Sequence, residues 1–360
     1  MLFHGYISVI LSFITAFVIV FSSIATIVFV SKAKKLIDEP DPRKLHNKSV
    51  PNLGGVAIFA AVLIASGLFS DISKHREFQY MLVGSIILFF AGIKDDILII
   101  APMKKLYSQI IASLIIIILG NLRYTNLHGF LGIYHIPYVT SVLLSLFVFV
   151  VIINGFNLID GIDGLASGVG ILSTIVFGGW FLLVGEFEYA ILSFALIGAT
   201  VAFFWFNVFS VKNKIFMGDT GSLLIGLFLA VLAVKFNEMN IEPTTKWFIH
   251  SAPAVSFGIL MIPLFDTIRV FVIRLINGKS PFRADTNHVH HKLLALGLSH
   301  LKATTYILSV NLVMILIVLL LNRKGVVDLM LMNFALATLF SILPEYIFKR
   351  KEKKLLSGKS

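Results

Sequence analysis

Apolar residues recur along this chain in eleven blocks, most of them near the length of a helix that crosses a bilayer, and this leaves a water-soluble fold without enough polar surface. A transmembrane helix needs about 20 residues to cover a hydrocarbon core of ~30 Å. The blocks fall at roughly 5–31, 52–69, 79–94, 106–120, 139–154, 168–184, 189–209, 221–236, 252–273, 305–321 and 327–348. Of the 360 residues, 58% are apolar, above the roughly 45–50% of soluble domains. The pattern predicts an all-α integral membrane protein, a polytopic bundle of about 11 transmembrane helices, with 10 or 12 if adjoining blocks divide differently. It reads as a single domain over 1–360, with 351–360 as a disordered basic tail.

The first block has no small-residue cleavage site and runs directly into Lys32, Lys34 and Lys35, so a retained helix is expected. Assigning the breaks alternately to two sides places 23 Lys and Arg residues on one side and 7 on the other. The positive-inside rule makes the richer side cytoplasmic, with the N-terminus out and the C-terminus in, as expected for a bacterial inner membrane. The same asymmetry, with anionic headgroups of membrane lipids as partners, accounts for the net charge of +11 without nucleic acid. The absence of cysteine excludes disulfides, iron–sulfur clusters and thiolate zinc sites.

Five of the 19 acidic residues lie in three short polar breaks on that cytoplasmic side: Asp95-Asp96, Asn157-Leu-Ile-Asp160-Gly-Ile-Asp163-Gly, and Phe216-Met-Gly-Asp219-Thr-Gly-Ser. Adjacent carboxylates repel unless a proton or cation intervenes, so Asp95 and Asp96 suit a divalent metal or a shared proton. As a merely solvated helix end they would set acidic charge against the macrodipole. Asn157, Asp160 and Asp163 share one face if helical, beside glycines that let a ligand approach; capping and turn formation are the alternative. Asp219 opens a helix, where it can cap, and the same helix start is an anion site.

The densest polar segment is Arg283-Ala-Asp-Thr-Asn-His288-Val-His290-His291. Its histidines could bind zinc, but with no cysteine and with Lys279 and Arg283 alongside, phosphate or sugar recognition fits better. Asp266 and Arg269, inside the ninth block, read either as a functional intramembrane pair or as a local ion pair. Asn121 to Pro137 reads as a small hairpin, and His4, His75, His128, His135 and His250 read as interfacial.

With these motifs in order, the chain resembles the polyprenyl-phosphate N-acetylhexosaminyl-1-phosphate transferases, the MraY/WecA/TagO family. The likeness is carried by Pro42-Arg-Lys-Leu-His46 through Pro51-Asn-Leu-Gly-Gly55, Asp95-Asp96, Lys105-Leu-Tyr-Ser-Gln109, Asn157 through Gly164, Phe216-Met-Gly-Asp219, and Ser280-Pro-Phe-Arg283 through His291. The His-Val-His-His form is similar to the WecA/TagO branch. The resemblance implies transfer of a sugar 1-phosphate, GlcNAc 1-phosphate first among the candidates, from a UDP-N-acetylhexosamine to undecaprenyl phosphate with release of UMP. That reaction opens O-antigen, teichoic acid or capsule synthesis. It implies further that Asp219 and Asn157 meet magnesium, for which manganese can substitute, and that Asp160 and Asp163 face the nucleotide. Phe216 matches the aromatic beside uracil, Lys105 a substrate-contacting lysine, and Arg283, His288, His290 and His291 the loop that recognises sugar and diphosphate. Asp95 and Asp96 are expected to face the lipid phosphate, orienting it or taking its proton. One departure stands out: family members often place an asparagine ten residues before the magnesium aspartate, whereas Asn207 lies twelve before Asp219.

An MraY-type phospho-MurNAc-pentapeptide transferase is the alternative within the family. An ion-coupled transporter is the rival from another class, and it predicts discontinuous helices with polar residues near the midplane. Aromatic prenyltransferases are excluded because Ile99 stands where their third aspartate belongs, and CDP-alcohol phosphotransferases because Ala-Arg is missing after Asp160-Gly161. A homodimer is compatible with the single-domain reading.

Overall fold

The computed structural model describes residues 2–36, 50–71, 75–98, 100–276, 278 and 288–357, with the side chains of 2, 3, 345 and 347–357 excepted. Arg283 and the segments 42–46 and 280–285 lie outside the described residues.

The order of elements is α1 (Leu2–Ala33), α2 (Gly54–Phe69), α3 (Glu77–Leu98), α4 (Pro102–Leu114), which runs on into a π-helical turn Ile115–Leu119, then the strands β1 (Asn126–Phe130) and β2 (Ile133–His135). There follow α5 (Tyr138–Ile159), α6 (Leu165–Val184), α7 (Phe187–Val208), α8 (Gly218–Met239), α9 (Ala252–Ile259), α10 (Met261–Ile276), α11 (Val289–Ala295), α12 (His300–Leu320) and α13 (Val326–Ser357). Among the described residues, eight helices are long and apolar enough to cross a membrane: α1, α4 with its π turn, α5, α6, α7, α8, α12 and α13. The protein is thus a multi-pass, all-α membrane protein. The other three predicted blocks are helical too: α2 with 16 residues, α3 with 22, and residues 252–273, which divide into α9 and α10.

Alpha8 occupies the centre. Nearly every side chain from Thr220 to Asn237 is buried, and a helix apolar on all sides belongs inside a bundle. Helices α2, α3, α5 and α6 surround it, α1 packs on α7 and α2, and α10, α12 and α13 close the other side with α9. Gly55 sits at the tightest crossing, where a Cβ would lie 2.1 Å from the Gly221 nitrogen. Gly55→Ala is therefore expected to cost at least about 2 kcal/mol of stability through forced separation of α2 and α8, read as a lowered melting temperature in detergent.

The break between α9 and α10 follows from Pro263. Proline has no N–H to return to the carbonyl four residues earlier, here that of Ile259, and the Ser173 hydroxyl donates to that oxygen instead at 3.2 Å. A discontinuous helix is thus present, as a transporter would require, but its freed carbonyl is satisfied by a serine and the acidic cluster lies elsewhere, at helix ends. The hairpin predicted over 121–137 forms from β1 and β2, which pair antiparallel. It is tied to α8 by Thr125, whose N–H and hydroxyl donate to Glu238 at 2.8 and 2.7 Å. The described part of α13 runs on to Ser357; the Lys, Glu and Leu content of 351–357 is that of good helix formers, which continue a helix already nucleated.

Candidate active site

Four helix ends and one loop converge on one face of the bundle: the C-terminal ends of α3 and α5, the start of α4, the start of α8, and the turn 160–164. The convergence begins with backbone pairing. Phe216 N–H donates to the Pro51 carbonyl at 2.8 Å, while Gly54 and Gly55 N–H donate to the Phe216 and Met217 carbonyls at 3.0 and 2.8 Å. The Pro51-Asn-Leu-Gly-Gly55 motif thus satisfies the opening amides of α2 with the segment that leads into α8, and the two helix starts are fixed together.

Asp96 locks the start of α8. Its Oδ1 accepts from Asp219 N–H at 2.7 Å, and its Oδ2 accepts from Thr220 N–H at 3.0 Å and from the Thr220 hydroxyl at 2.6 Å. The Asn52 amide donates to the Asp96 carbonyl at 3.0 Å. The carboxylate, unfavourably placed at the end of its own helix, is favourably placed at the N-terminus of another. Gly218 makes the approach feasible: it has φ of +71°, and a Cβ there would meet the Asn52 carbonyl at 2.1 Å and the Asp96 carboxylate at 2.6 Å. Both oxygens of Asp96 are engaged by α8, whereas the resemblance implied that they face the lipid phosphate.

Lys105 is the hub. Its ammonium donates to Asp219 Oδ2 in a very short contact, to Asn157 Oδ1 at 3.0 Å, and lies 3.3 Å from Asp95 Oδ2. Asn157 uses its other end to donate to Asp219 Oδ1 at 2.6 Å and to the Ser222 hydroxyl at 3.0 Å. Asp95 accepts from Ile100 N–H at 2.7 Å through Oδ1, so its other oxygen is the one turned to the lysine. Gln109 and Asn154 exchange amide hydrogen bonds at 3.2 and 2.5 Å, which fixes α4 against α5 beneath the site. The sequence placed Asp95, Lys105, Asn157 and Asp219 in one site, and the structure brings them into mutual contact.

The turn 160–164 divides its two aspartates. Asp163 is held by Lys214 Nζ at 2.6 Å and lies 3.5 Å from His300 Nδ1, while its carbonyl accepts from the Thr304 hydroxyl at 2.7 Å. Asp160 has no hydrogen bond or ion pair among the described residues. Burial, and then the charges of Asp219, Asp96 and Asp163, push its carboxyl well above the usual carboxylate range, against a smaller opposing pull from Lys105. A raised acid loses stability as pH rises from the unfolded value toward the folded one. Asp160→Asn should therefore melt higher than wild type at neutral pH, with the gain vanishing only below about pH 3, where the aspartic acid is neutral in both the folded and the unfolded chain; equal melting temperatures at pH 7 would contradict this. Asn207 acquires a role that its spacing left doubtful. It accepts from Gly164 N–H at 2.6 Å and donates to the Ile215 carbonyl at 2.9 Å, joining the 160–164 turn to the approach to α8.

The histidine segment approaches the same turn. His290 Nε2 lies 2.7 Å from where a Gly161 Cβ would stand, and burial, then His291, holds the His290 imidazole down to about 3. Phe216 lies beside Lys214, whose ammonium is 6.0 Å from the ring centre. Reasoning from sequence quoted Asn52 and Thr220 only as members of motifs and gave them no role, and it gave none to Lys214 or His300; of the last two, Lys214 carried a signal, a lysine two residues before Phe216. It also passed over a polar cluster on the opposite face, where His75 lies 3.2 Å from Glu77 and 3.5 Å from Glu186, and Tyr189 donates to Glu77 at 2.7 Å.

The fold and this site define a polytopic membrane protein with an oxygen-rich, lysine-bridged centre at the ends of its innermost helices. Residues 78–237 match the family described as glycosyl transferase family 4. The chain is 31% identical over 265 residues to the probable undecaprenyl-phosphate N-acetylglucosaminyl 1-phosphate transferase of Bacillus subtilis (strain 168), covering 73% of this chain and 71% of that protein. It is 29% identical over 279 residues to the undecaprenyl-phosphate alpha-N-acetylglucosaminyl 1-phosphate transferase of Escherichia coli (strain K12), covering 76% and 73%, and 30% identical over 276 residues to the protein of that name in Yersinia pestis, covering 74% and 72%. The chain belongs to this family, the polyprenyl-phosphate N-acetylhexosaminyl-1-phosphate transferases.

Proposed function

We propose that the protein transfers N-acetylglucosamine 1-phosphate from UDP-GlcNAc to undecaprenyl phosphate and releases UMP, with its site on the cytoplasmic face of a bacterial inner membrane. The observation that carries this reading is the cluster of Asp95, Asn157 and Asp219 oxygens around the Lys105 ammonium, at helix ends where a soluble donor and a membrane-bound phosphate can meet. An apolar cavity lined by Met261, Phe265, Val310, Met314 and Phe340 also reaches Asp266 and His290, and its apolar lining suits an isoprenoid acceptor. The relatives are named for this reaction, and neither a peptide-bearing sugar donor nor ion transport is favoured by them.

The reaction is displacement at phosphorus. An oxygen of the lipid phosphate attacks the β-phosphorus of the donor, the bond from that phosphorus to the bridging oxygen breaks, and UMP leaves with the electron pair. A phosphate monoester has its second pKa near about 6 and is largely ionised at neutral pH, so little base catalysis is required. The protein's contribution is positioning and neutralisation of charge. Lys105 can pass from its carboxylates to a phosphate oxygen, Asp95 orients that lysine, and Asp96 fixes the Asp219 backbone. Phe216 and the 160–164 turn line the approach assigned to the nucleotide.

Magnesium is part of this proposal. Among the described residues, no three His, Cys, Asp or Glu side chains form a ready-made cage. The donor set nevertheless fits a hard cation, because two carboxylates and an amide oxygen already converge on one positive charge, that of Lys105. Asp219 and Asn157 would hold the ion, and when bound it would neutralise charge on the diphosphate. Exchange of labelled UMP into UDP-GlcNAc by purified protein, with magnesium and undecaprenyl phosphate, is the direct test. Lipid-dependent exchange is expected. Its absence with UDP-GlcNAc, UDP-GalNAc and UDP-FucNAc alike would overturn the reading, and exchange confined to another donor would correct the sugar.

A further inference from the structure

We propose that Asp266, on helix α10, is a positioning residue for the histidine segment: it holds His288 in one orientation and tautomer and so seats the paired His288 and His290 rings on the Gly161 turn. The inference rests on the transferase reading above and assigns a task to a residue that the reading leaves without one.

Asp266 is buried, and a buried carboxylate must find a partner. Among the described residues three groups approach Asp266. Arg269, one turn along the same helix, approaches only to 3.8 Å from Oδ1. His288 Nδ1 lies 2.7 Å from Oδ2, and Val289 N–H, the first amide of α11, donates to Oδ1 at 3.2 Å. The stronger bonds therefore join α10 to a segment 22 residues further on. Alpha11 is only 7 residues long, too short to form without outside support, and Asp266 supplies that support at its first residue.

The consequences reach the site by contact. A carboxylate accepting from Nδ1 makes that nitrogen the protonated one and points Nε2 away, the arrangement by which carboxylates fix histidine in functional centres. The His288 ring lies nearly parallel to that of His290, at 11° with centroids 5.6 Å apart, and His290 in turn packs 4.3 Å from His291. His290 fills the space that Gly161 leaves open by having no side chain. Asp266, His288, His290 and Gly161 thus form one line from α10 to the turn that carries Asp160. Displacing His288 should shift the histidines against the diphosphate while leaving the Lys105 centre in place.

The test uses full-length protein in detergent. Asp266→Asn should lower kcat/KM for UDP-GlcNAc about 10- to 100-fold, the usual effect of losing a partner that orients a functional histidine, whereas Asp266→Glu should recover most of the loss. His288→Gln should lose a similar factor, and the double variant should be no worse than either single variant, because both changes cut the same link. Losses that multiply in the double variant, or a D266N enzyme as active as wild type, would overturn the proposal. An independent readout does not need turnover: the histidine 15N spectrum, with His288 assigned by its loss in H288Q, should show the Nδ1-protonated form in wild type and its loss in D266N. If wild type exchanges no UDP-sugar, the transferase reading fails, and this spectrum alone then decides whether Asp266 orients His288; a spectrum unchanged in D266N counts against it.

Discussion

Lys105→Ala lowers lipid-dependent UMP exchange by an expected factor of about 10²–10³, the scale for removing one preorganised charged or polar donor from a phosphate or oxyanion site. Among the described residues, this lysine is the cation shared by Asp95, Asn157 and Asp219, so its removal also leaves two carboxylates facing each other. Without metal the variant should therefore melt below wild type, and added magnesium should raise its melting temperature more steeply than it does for wild type, since the ion then has no ammonium to displace. The thermal measurement separates the two properties. A variant with nearly normal exchange would remove Lys105 from the substrate path, and a melting temperature indifferent to magnesium would remove the ion from this carboxylate pair.

Asp96→Asn is the second large effect. An asparagine offers one acceptor oxygen where the carboxylate supplies two, so of the three bonds from Asp219 N–H, Thr220 N–H and the Thr220 hydroxyl, at least one is lost and an N–H is turned toward donors. A buried donor left without its partner costs about 1–3 kcal/mol, which should appear as a lower melting temperature. Displacement of the first turn of α8 carries Asp219 with it, and exchange should fall about 100-fold, as expected when misplacement of about 1 Å disturbs a reacting geometry. The shape of the pH–rate profile distinguishes positioning from proton transfer. If Asp96 acts only by holding α8, D96N keeps the profile of wild type at reduced height; loss of a limb in D96N alone would return Asp96 to the role of base. Thr220→Val should move stability and rate in the same direction by a smaller amount.

Both predictions involve residues that the sequence had marked, but for different reasons. Asp95-Asp96 reads as a matched pair because the two carboxylates are adjacent. In the helix, adjacent side chains point about 100° apart, so one reaches Lys105 and the other reaches α8. Asp160 and Asp163, three apart and nominally alike, separate in the same way: Asp163 meets Lys214 and His300, and Asp160 meets only other charges. Asn52 and Thr220 carried no signal of their own, because a hydrogen bond to a residue far along the chain leaves no periodicity to read. Asp266 was visible as an oddity in an apolar block, yet its obvious neighbour Arg269 proved the weaker partner.

The bilayer explains why so much could be read from the chain alone. In hydrocarbon every backbone polar group must be satisfied within its own segment, which leaves the helix as the element for each apolar block, so the helical nature of all eleven blocks and the polar breaks between them were determined by local composition. Family membership followed from the order of the motifs in those breaks. The tertiary structure decided which break meets which: that α8 is central, that the ninth block breaks at Pro263 with Ser173 as the replacement donor, and that Asp96 caps α8 while Asp95 faces Lys105. Those choices depend on distances of a few ångströms between segments 124 residues apart and more, and such distances are set by the packing of the whole bundle, not by any stretch of sequence.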